Sequence, residues 1–355
     1  MNILLSQPLL TLLAFFWFIQ GNVSPTAPSS FTKTYSHQLQ LTQETKTTYT
    51  WKEIKVFPFN ELLVSWNAIR PKDGMFTIFI RVKGKKWSGW LKYAEWGASH
   101  QQAFSYVKDP VARLNGNAVT LKTNILASAF EIKVEASGGA QLNDFHCLNA
   151  CVSNMNKYEL SKPSRNLASV FIEQVPQQSQ MILKHPHAKS MCSPTATSSV
   201  LSYFLQELSS GTLQNNEPNR QGIVDPVDFA TLVYDARHNI YGNWALNVAA
   251  AYDVSGGKIP CRVEHLPNFT ALYKYICHNR PVIVSIAGPL SGGATPYKSG
   301  HLMVVIGWDA YKQRVLCIDS AFKSNKTTKV WYNGDGFCKV WGRRKNLCYI
   351  FMPLS

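Results

Sequence analysis

The sequence changes texture near residue 165, and that change limits the fold more than any other feature. Up to about residue 160 the chain runs through short aromatic or β-branched stretches divided by Gly, Pro and Asn: IKVFPF, LLVSWNAI, GMFTIFIRVKG, WSGWLKYAEW, NAVTLKTNIL and FEIKVEAS. Phe76, Ile78 and Ile80 alternate with Thr77, Phe79 and Arg81, the period of a strand packed on at least one face. Repeated short strands with turn signals predict an antiparallel β-sandwich over residues 31–160, and residues 161–171 read as a linker. Beyond it, helices mix with strands. Ser193 and Pro194 read as the N-cap and first-turn proline of a helix with an apolar stripe at Val200, Leu201, Phe204, Leu205 and Leu208. Asp225 and Pro226 open a second helix, with Asp228 in its first turn, and Asn243 caps a third. A fourth helix at 266–278 and the strand-like runs VIVSIAG, HLMVVIGW, RVLCIDSA and LCYIFM complete an α+β second part. At ~150 residues per domain, the length of 355 residues suits two cores, and 45% hydrophobic residues rule out wholesale disorder.

The beginning of the chain points to a compartment. Residues 8–19, PLLTLLAFFWFI, are too short to span a bilayer and about right for the core of a signal peptide, expected over residues 1–24. No Lys or Arg precedes the run, and no clean cleavage triplet follows it. The expected location is secreted or periplasmic, with no membrane span beyond the signal peptide.

One constellation in the second part carries chemistry. Cys192, in MCSPTATSSVLSYF, lies immediately before the first helix, where unpaired N–H groups and the positive dipole end favour thiolate. A thiolate that attacks an amide carbonyl needs a base, an orienter for the base and donors for the oxyanion. His301 begins the apolar strand HLMVVIGW, and Asp319 ends the next strand, so adjacent antiparallel strands bring the two together. Gln180, in VPQQSQM, is the candidate oxyanion donor, with Gln177 and Gln178 as alternatives. Asp309, in GWDAYKQ, rivals Asp319 but reads as a solvated turn.

At these residues the chain resembles papain-like cysteine peptidases, and specifically cysteine peptidase family thirty-nine with its stand-alone exported bacterial relatives. The resemblance covers about residues 172–355 and rests on VPQQSQM, CSPTATSSVLSYF, VDPVDFA, GNWALN, SGHLMVVIGWD and CIDSA, in that order. It implies Cys192 as nucleophile, His301 as general base and then acid, Asp319 as orienting carboxylate and Gln180 as oxyanion donor. It also implies a papain-like catalytic domain over residues 172–355 behind the sandwich, an acyl-enzyme, a peptide or protein substrate, and no cofactor. Ser193 stands where many relatives carry Gly, and KHPHAKS lengthens the Gln-to-Cys spacing. The transporter segments of bacteriocin exporters are absent, so leader-peptide removal is not the implied task. An acyl transferase is a close variant.

The remaining features are less specific. Of eight cysteines, seven are left beside Cys192; Cys147 with Cys151, and Cys338 with Cys348, are candidate pairs that the sequence does not decide. His146 beside Cys147 and Cys151 matches no zinc spacing well, and no metal is expected. Trp51, Trp66, Trp87, Trp90 and Trp96 crowd the first part and are expected in its core rather than on sugar rings. The formal charge of +15 favours anionic partners. The basic clusters Lys83, Lys85, Lys86 and Arg343, Arg344, Lys345 read as solvated turns, so no specific nucleic acid is expected. The competing function is a non-catalytic binder of cell-envelope or host glycan, with a retired enzyme fold.

Overall fold

Phe76, Ile78 and Ile80 are fully buried, and the residues between them are partly exposed, so the alternation read in the sequence is that of a real strand. The computed structural model describes residues 30–40, 47–105, 109–122, 124–164, 166–210 and 222–353; the expected signal peptide at 1–24 lies outside them. Ten strands build the first part: β1 (Thr32–Gln38), β2 (Thr48–Phe59), β3 (Glu61–Ala68), β4 (Met75–Lys83), β5 (Leu91–Gly97), β6 (Gln101–Ala103), β7 (Ala112–Asn115), β8 (Ala118–Leu121), β9 (Ala127–Ser137) and β10 (Phe145–Ser153). They form two antiparallel five-stranded sheets, ordered β1-β10-β3-β8-β7 and β2-β9-β4-β5-β6. Between the sheets Trp66 meets Trp96 edge to face at 6.3 Å, and Phe76 meets Phe145 at 5.3 Å.

The second part runs β11 (Val170–Phe171), α1 (Cys192–Ser210), α2 (Pro226–Val233), α3 (Trp244–Val254), β12 (Cys261–His265), α4 (Phe269–Cys277), β13 (Val282–Ile286), β14 (His301–Asp309), β15 (Arg314–Ile318), β16 (Lys329–Asn333), α5 (Gly334–Gly342) and β17 (Leu347–Phe351). Its sheet is ordered β12-β17-β13-β14-β15-β16, with β11 added beside β14. Asp225, Asn243 and Asn268 each accept backbone N–H groups of the following first turn, which starts α2, α3 and α4. α1 packs on β14, on α2 and on α3.

The two parts meet along β12, the edge strand of this sheet. Leu148 of β10 stands opposite Trp66 of β3 and faces the second sheet. The alternate residues Ser65 and Asn67 of β3, with Cys151 of β10, face β12 instead. Asn67 donates to the Cys261 carbonyl at 2.8 Å, Ser65 accepts the Val263 N–H at 3.1 Å, and the Cys151 sulfur accepts the His265 N–H at 3.3 Å. Side chains of the first part thus satisfy a row of edge groups that would otherwise be bare. Buried apolar side chains from both parts join in one large cluster, apart from a small separate one of Met191, Ala230 and Tyr241.

Several expectations need correction. Trp51, Trp66 and Trp96 are core, but Trp87 and Trp90 are only partly buried. They lie over Arg81, at 5.0 and 4.6 Å, on the outer side of the second sheet. All eight cysteines are free thiols. Cys147 and Cys151 share one strand four residues apart, roughly 13 Å at about 3.3 Å per residue, too far for a disulfide. Cys338, the other candidate partner of Cys348, lies in the helix α5, whereas Cys348 lies in β17. Among the described residues, no helix is long and apolar enough to cross a membrane, and no group of three or more His, Cys, Asp or Glu is placed to hold a metal.

Candidate active site

Cys192 is the first residue of α1 rather than the residue before it. The Met191 carbonyl accepts the Thr195 N–H at 3.0 Å and its hydroxyl at 2.7 Å, so Met191 stands at the cap. Ser193, expected as the N-cap, is one residue inside the helix; its buried hydroxyl pairs with the Tyr349 hydroxyl at 2.9 Å. Pro194 keeps its expected place in the first turn, where its missing N–H leaves nothing unpaired.

His301 opens β14, and Asp319 follows the last residue of β15, its antiparallel neighbour. The His301 Nε2 lies 2.8 Å from Asp319 Oδ1, and both side chains are nearly sealed from solvent, at 4% and 0% residue exposure. That pairing leaves Nδ1 as the ring nitrogen available to the sulfur. Burial alone would raise the Cys192 thiol. A hydrogen bond from His301, its positive charge, and the N–H groups of Leu302 and Ser193 outweigh burial and hold the thiol below its ordinary value. Burial likewise works against the imidazolium, yet the charge and hydrogen bond of Asp319, with Cys192, raise His301 to about 10. Asp319 is held at about 2: burial opposes this, but the His301 charge and hydrogen bond, then the Tyr297 and Tyr332 hydroxyls, prevail. Cys192 and His301 thus each favour the charged form of the other.

Two residues of this cluster escaped sequence reasoning. Tyr297 and Tyr332 both donate to Asp319 Oδ2, Tyr332 at 2.6 Å, while Oδ1 also takes the Ala321 N–H at 3.0 Å. The Tyr297 ring stacks on the His301 ring at 4.8 Å and 13°. Carboxylate and imidazole are both fixed in orientation, the one by four donors and the other by a stacked ring. Tyr297 comes from a loop and Tyr332 from β16, and neither has a motif of its own.

Gln180 is buried beside this cluster. Its N–H donates to the Ser320 carbonyl at 2.9 Å, and its Oε1 accepts the Ser320 hydroxyl at 2.7 Å, which ties it to the residue after Asp319. Its Nε2 donates to the carbonyls of Ala188 and Lys189, at 3.2 and 2.8 Å, in the turn before Cys192. Of the alternatives, Gln178 is occupied by Val224 and Ser199, and Gln177 is exposed. Asp309 is the last residue of β14, paired with Arg314, and at the turn that follows it takes the Lys312 N–H at 3.0 Å.

The chain belongs to the Peptidase_C39 like family, whose family model matches residues 172–349 and so includes every residue of this cluster. Its members are papain-like peptidases of the C39 type. No curated protein matches the sequence. Among solved structures, a protein described as a C39-like peptidase of Bacillus anthracis is 15% identical, covering 53% of this chain and 100% of that one at a TM-score of 0.38. Xylellain, a cysteine protease of Xylella fastidiosa, is 9% identical, covering 57% of this chain and 94% of that one at a TM-score of 0.33. Likenesses this faint add nothing to the family match.

Proposed function

We propose that this protein is an exported cysteine peptidase or amidase in which a β-sandwich module precedes a papain-like catalytic domain. The observation that carries the reading is Cys192 at a helix start, held as thiolate by a His301 that is itself fixed by Asp319. The thiolate attacks the carbonyl carbon of the amide, and the carbonyl oxygen gains the negative charge. The imidazolium of His301 protonates the departing amine, leaving an acyl-enzyme on Cys192. Neutral His301 then takes a proton from water, which attacks the thioester and releases the acid and the thiolate. Asp319 keeps the imidazole oriented through both steps. The backbone N–H of Cys192 is the first oxyanion donor. Gln180 becomes the second by exchanging one of its carbonyl partners in the 188–189 turn for the oxyanion. Export rests on the apolar run at residues 8–19.

The test is a peptide-like thiol electrophile applied to the purified full chain. Labelling of the parent and none of Cys192→Ala supports the reading; equal labelling of both overturns it. The alternative reading, a glycan-binding protein with a retired site, is favoured by the outward Trp87 and Trp90 with Arg81 and Lys133 close to their rings. Retention on insoluble cell wall at low salt and loss at high salt supports it, and no retention at low salt ends it.

A further inference from the structure

Where the first part meets β12, the two surfaces do not close completely. They leave a cavity of about 770 Å³, walled in part by Ser36, Asn149, Tyr252, Arg262 and Arg280. In the sheet, β17 and β13 separate β12 from β14, so the cavity is remote from Cys192 and does not depend on the peptidase reading.

Independent observations make it a site rather than a packing gap. Asn149, in the wall, is 4% exposed, and its Oδ1 accepts the Ser36 hydroxyl at 2.7 Å. The unpaired guanidinium in the walls is that of Arg280, since Arg262 forms an ion pair with Glu264. No Asp or Glu stands among the described wall residues, whereas two guanidinium groups do. Arg262 gives Nε and Nη2 to Glu264, at 2.9 and 3.4 Å, while its Nη1 meets only the Met352 sulfur, a weak acceptor. Arg280 is half-buried, and its side chain makes no ion pair or hydrogen bond among the described residues. The other described walls include Leu39, Pro260 and Pro353, which offer apolar surface.

We propose that this junction cavity binds a small organic anion. Its carboxylate or phosphate head meets Arg280 and Arg262 Nη1, and its apolar body lies on Leu39, Pro260 and Pro353. The volume lies within the range of roughly 300–1,000 Å³ usual for small-molecule sites, and the guanidinium fork suits either head. The ligand would bridge both parts of the molecule.

The experiment is calorimetric titration of the Cys192→Ala chain, so that no turnover contributes heat. N-acetyl-L-phenylalanine and phenyl phosphate are the anionic probes, and N-acetyl-L-phenylalaninamide is the neutral control. At least one anion is expected to bind with a Kd below a millimolar, and the neutral amide at least ten-fold more weakly. Whichever anion binds identifies the head group. Arg280→Gln, which loses no partner in the fold, should weaken the anion at least five-fold and leave the amide unchanged. Failure of both anions to bind, equal binding of anion and amide, or an Arg280→Gln chain that binds as the parent does would each overturn the proposal. None of these readouts uses the thiol, so the outcome is separate from that of the peptidase reading.

Discussion

Cys192 and the strand cysteines of the second part's sheet are treated in opposite ways; even Cys317 of β15 is raised well above its ordinary value, by burial and then the charge of Asp319. Around β14 and β15, Cys192 has its thiol held below the ordinary value. Around β12 and β17, Cys261 and Cys348 are pushed well above it, Cys261 by burial alone and Cys348 by burial and then the negative charge of Glu264. All four lie in the same fold within a few strands of one another. The difference lies in what faces the sulfur. Cys192 meets a fixed cation and two N–H groups, whereas Cys261 and Cys348 direct their S–H groups at the carbonyls of Ile259 and Glu264, at 2.9 and 3.4 Å. A thiol pressed against an acceptor stays a thiol; a thiol ringed by donors gives up its proton.

The largest way to break this contrast is to remove the cation. His301→Ala should return Cys192 to the behaviour of a buried thiol and slow its alkylation by iodoacetamide at pH 6 on the order of a hundred-fold. If the rate is unchanged, the helix start rather than His301 makes the thiolate. Asp319→Asn acts one step further away: His301 falls from its raised value, and the thiol rises with it. Alkylation at the same pH should drop, by less than in His301→Ala. Mass mapping should show Cys261 and Cys348 unmodified in the folded parent, and modification of either before Cys192 would contradict the contrast directly.

The pH dependence follows from the same groups. His301 is raised from 6.5 to about 10, so its favourable contribution to folding is complete below about 6.5 and is lost as pH rises through about 10. Asp319 is lowered from 3.8 to about 2, so its contribution is complete above about 3.8 and is lost as pH falls through about 2. Turnover of a peptide amide should accordingly show an acid limb below the ordinary thiol range and an alkaline limb near pH 10. An alkaline limb near pH 6.5, read from turnover against pH, would mean that Asp319 does not hold the proton on His301.

Smaller effects sharpen the comparison. Tyr332→Phe removes one donor from Asp319 and should lower turnover several-fold while leaving the site assembled; kcat is expected to fall with KM little changed. At the opposite edge, Ser65→Ala removes the acceptor of the Val263 N–H. Urea unfolding should show a loss of about 1–2 kcal/mol, with the alkylation rate of Cys192 unaltered.

Local signals explain how much of this was legible in the sequence. Cys192, His301 and Asp319 each sit at the end of a helix or strand with a clear apolar period, so their meeting follows from the order of β14 and β15. β10 was missed as a strand because both its faces are buried. Leu148 faces the partner sheet while Cys147 and Asn149 face the other part, so the residues suggested metal or disulfide chemistry instead of alternation. Tyr297 and Tyr332 reach Asp319 across 22 and 13 residues, with no periodic pattern between them. The junction cavity draws on residues 36–39, 143–149, 252–262, 280 and 352–353, an assembly that exists only after both parts have folded.

The position of β17 has a consequence for synthesis. It lies between β12 and β13, yet a ribosome delivers its residues, 347–351, well after both of them. Until they emerge, β12 lacks its one strand neighbour, and the surface on which the first part rests is incomplete. The first part can form its own two sheets during translation, but its seating on β12 comes only after β17 has left the exit tunnel. A chain terminated before residue 347 would therefore expose unpaired edges on both β12 and β13, which makes it a ready substrate for quality-control proteases.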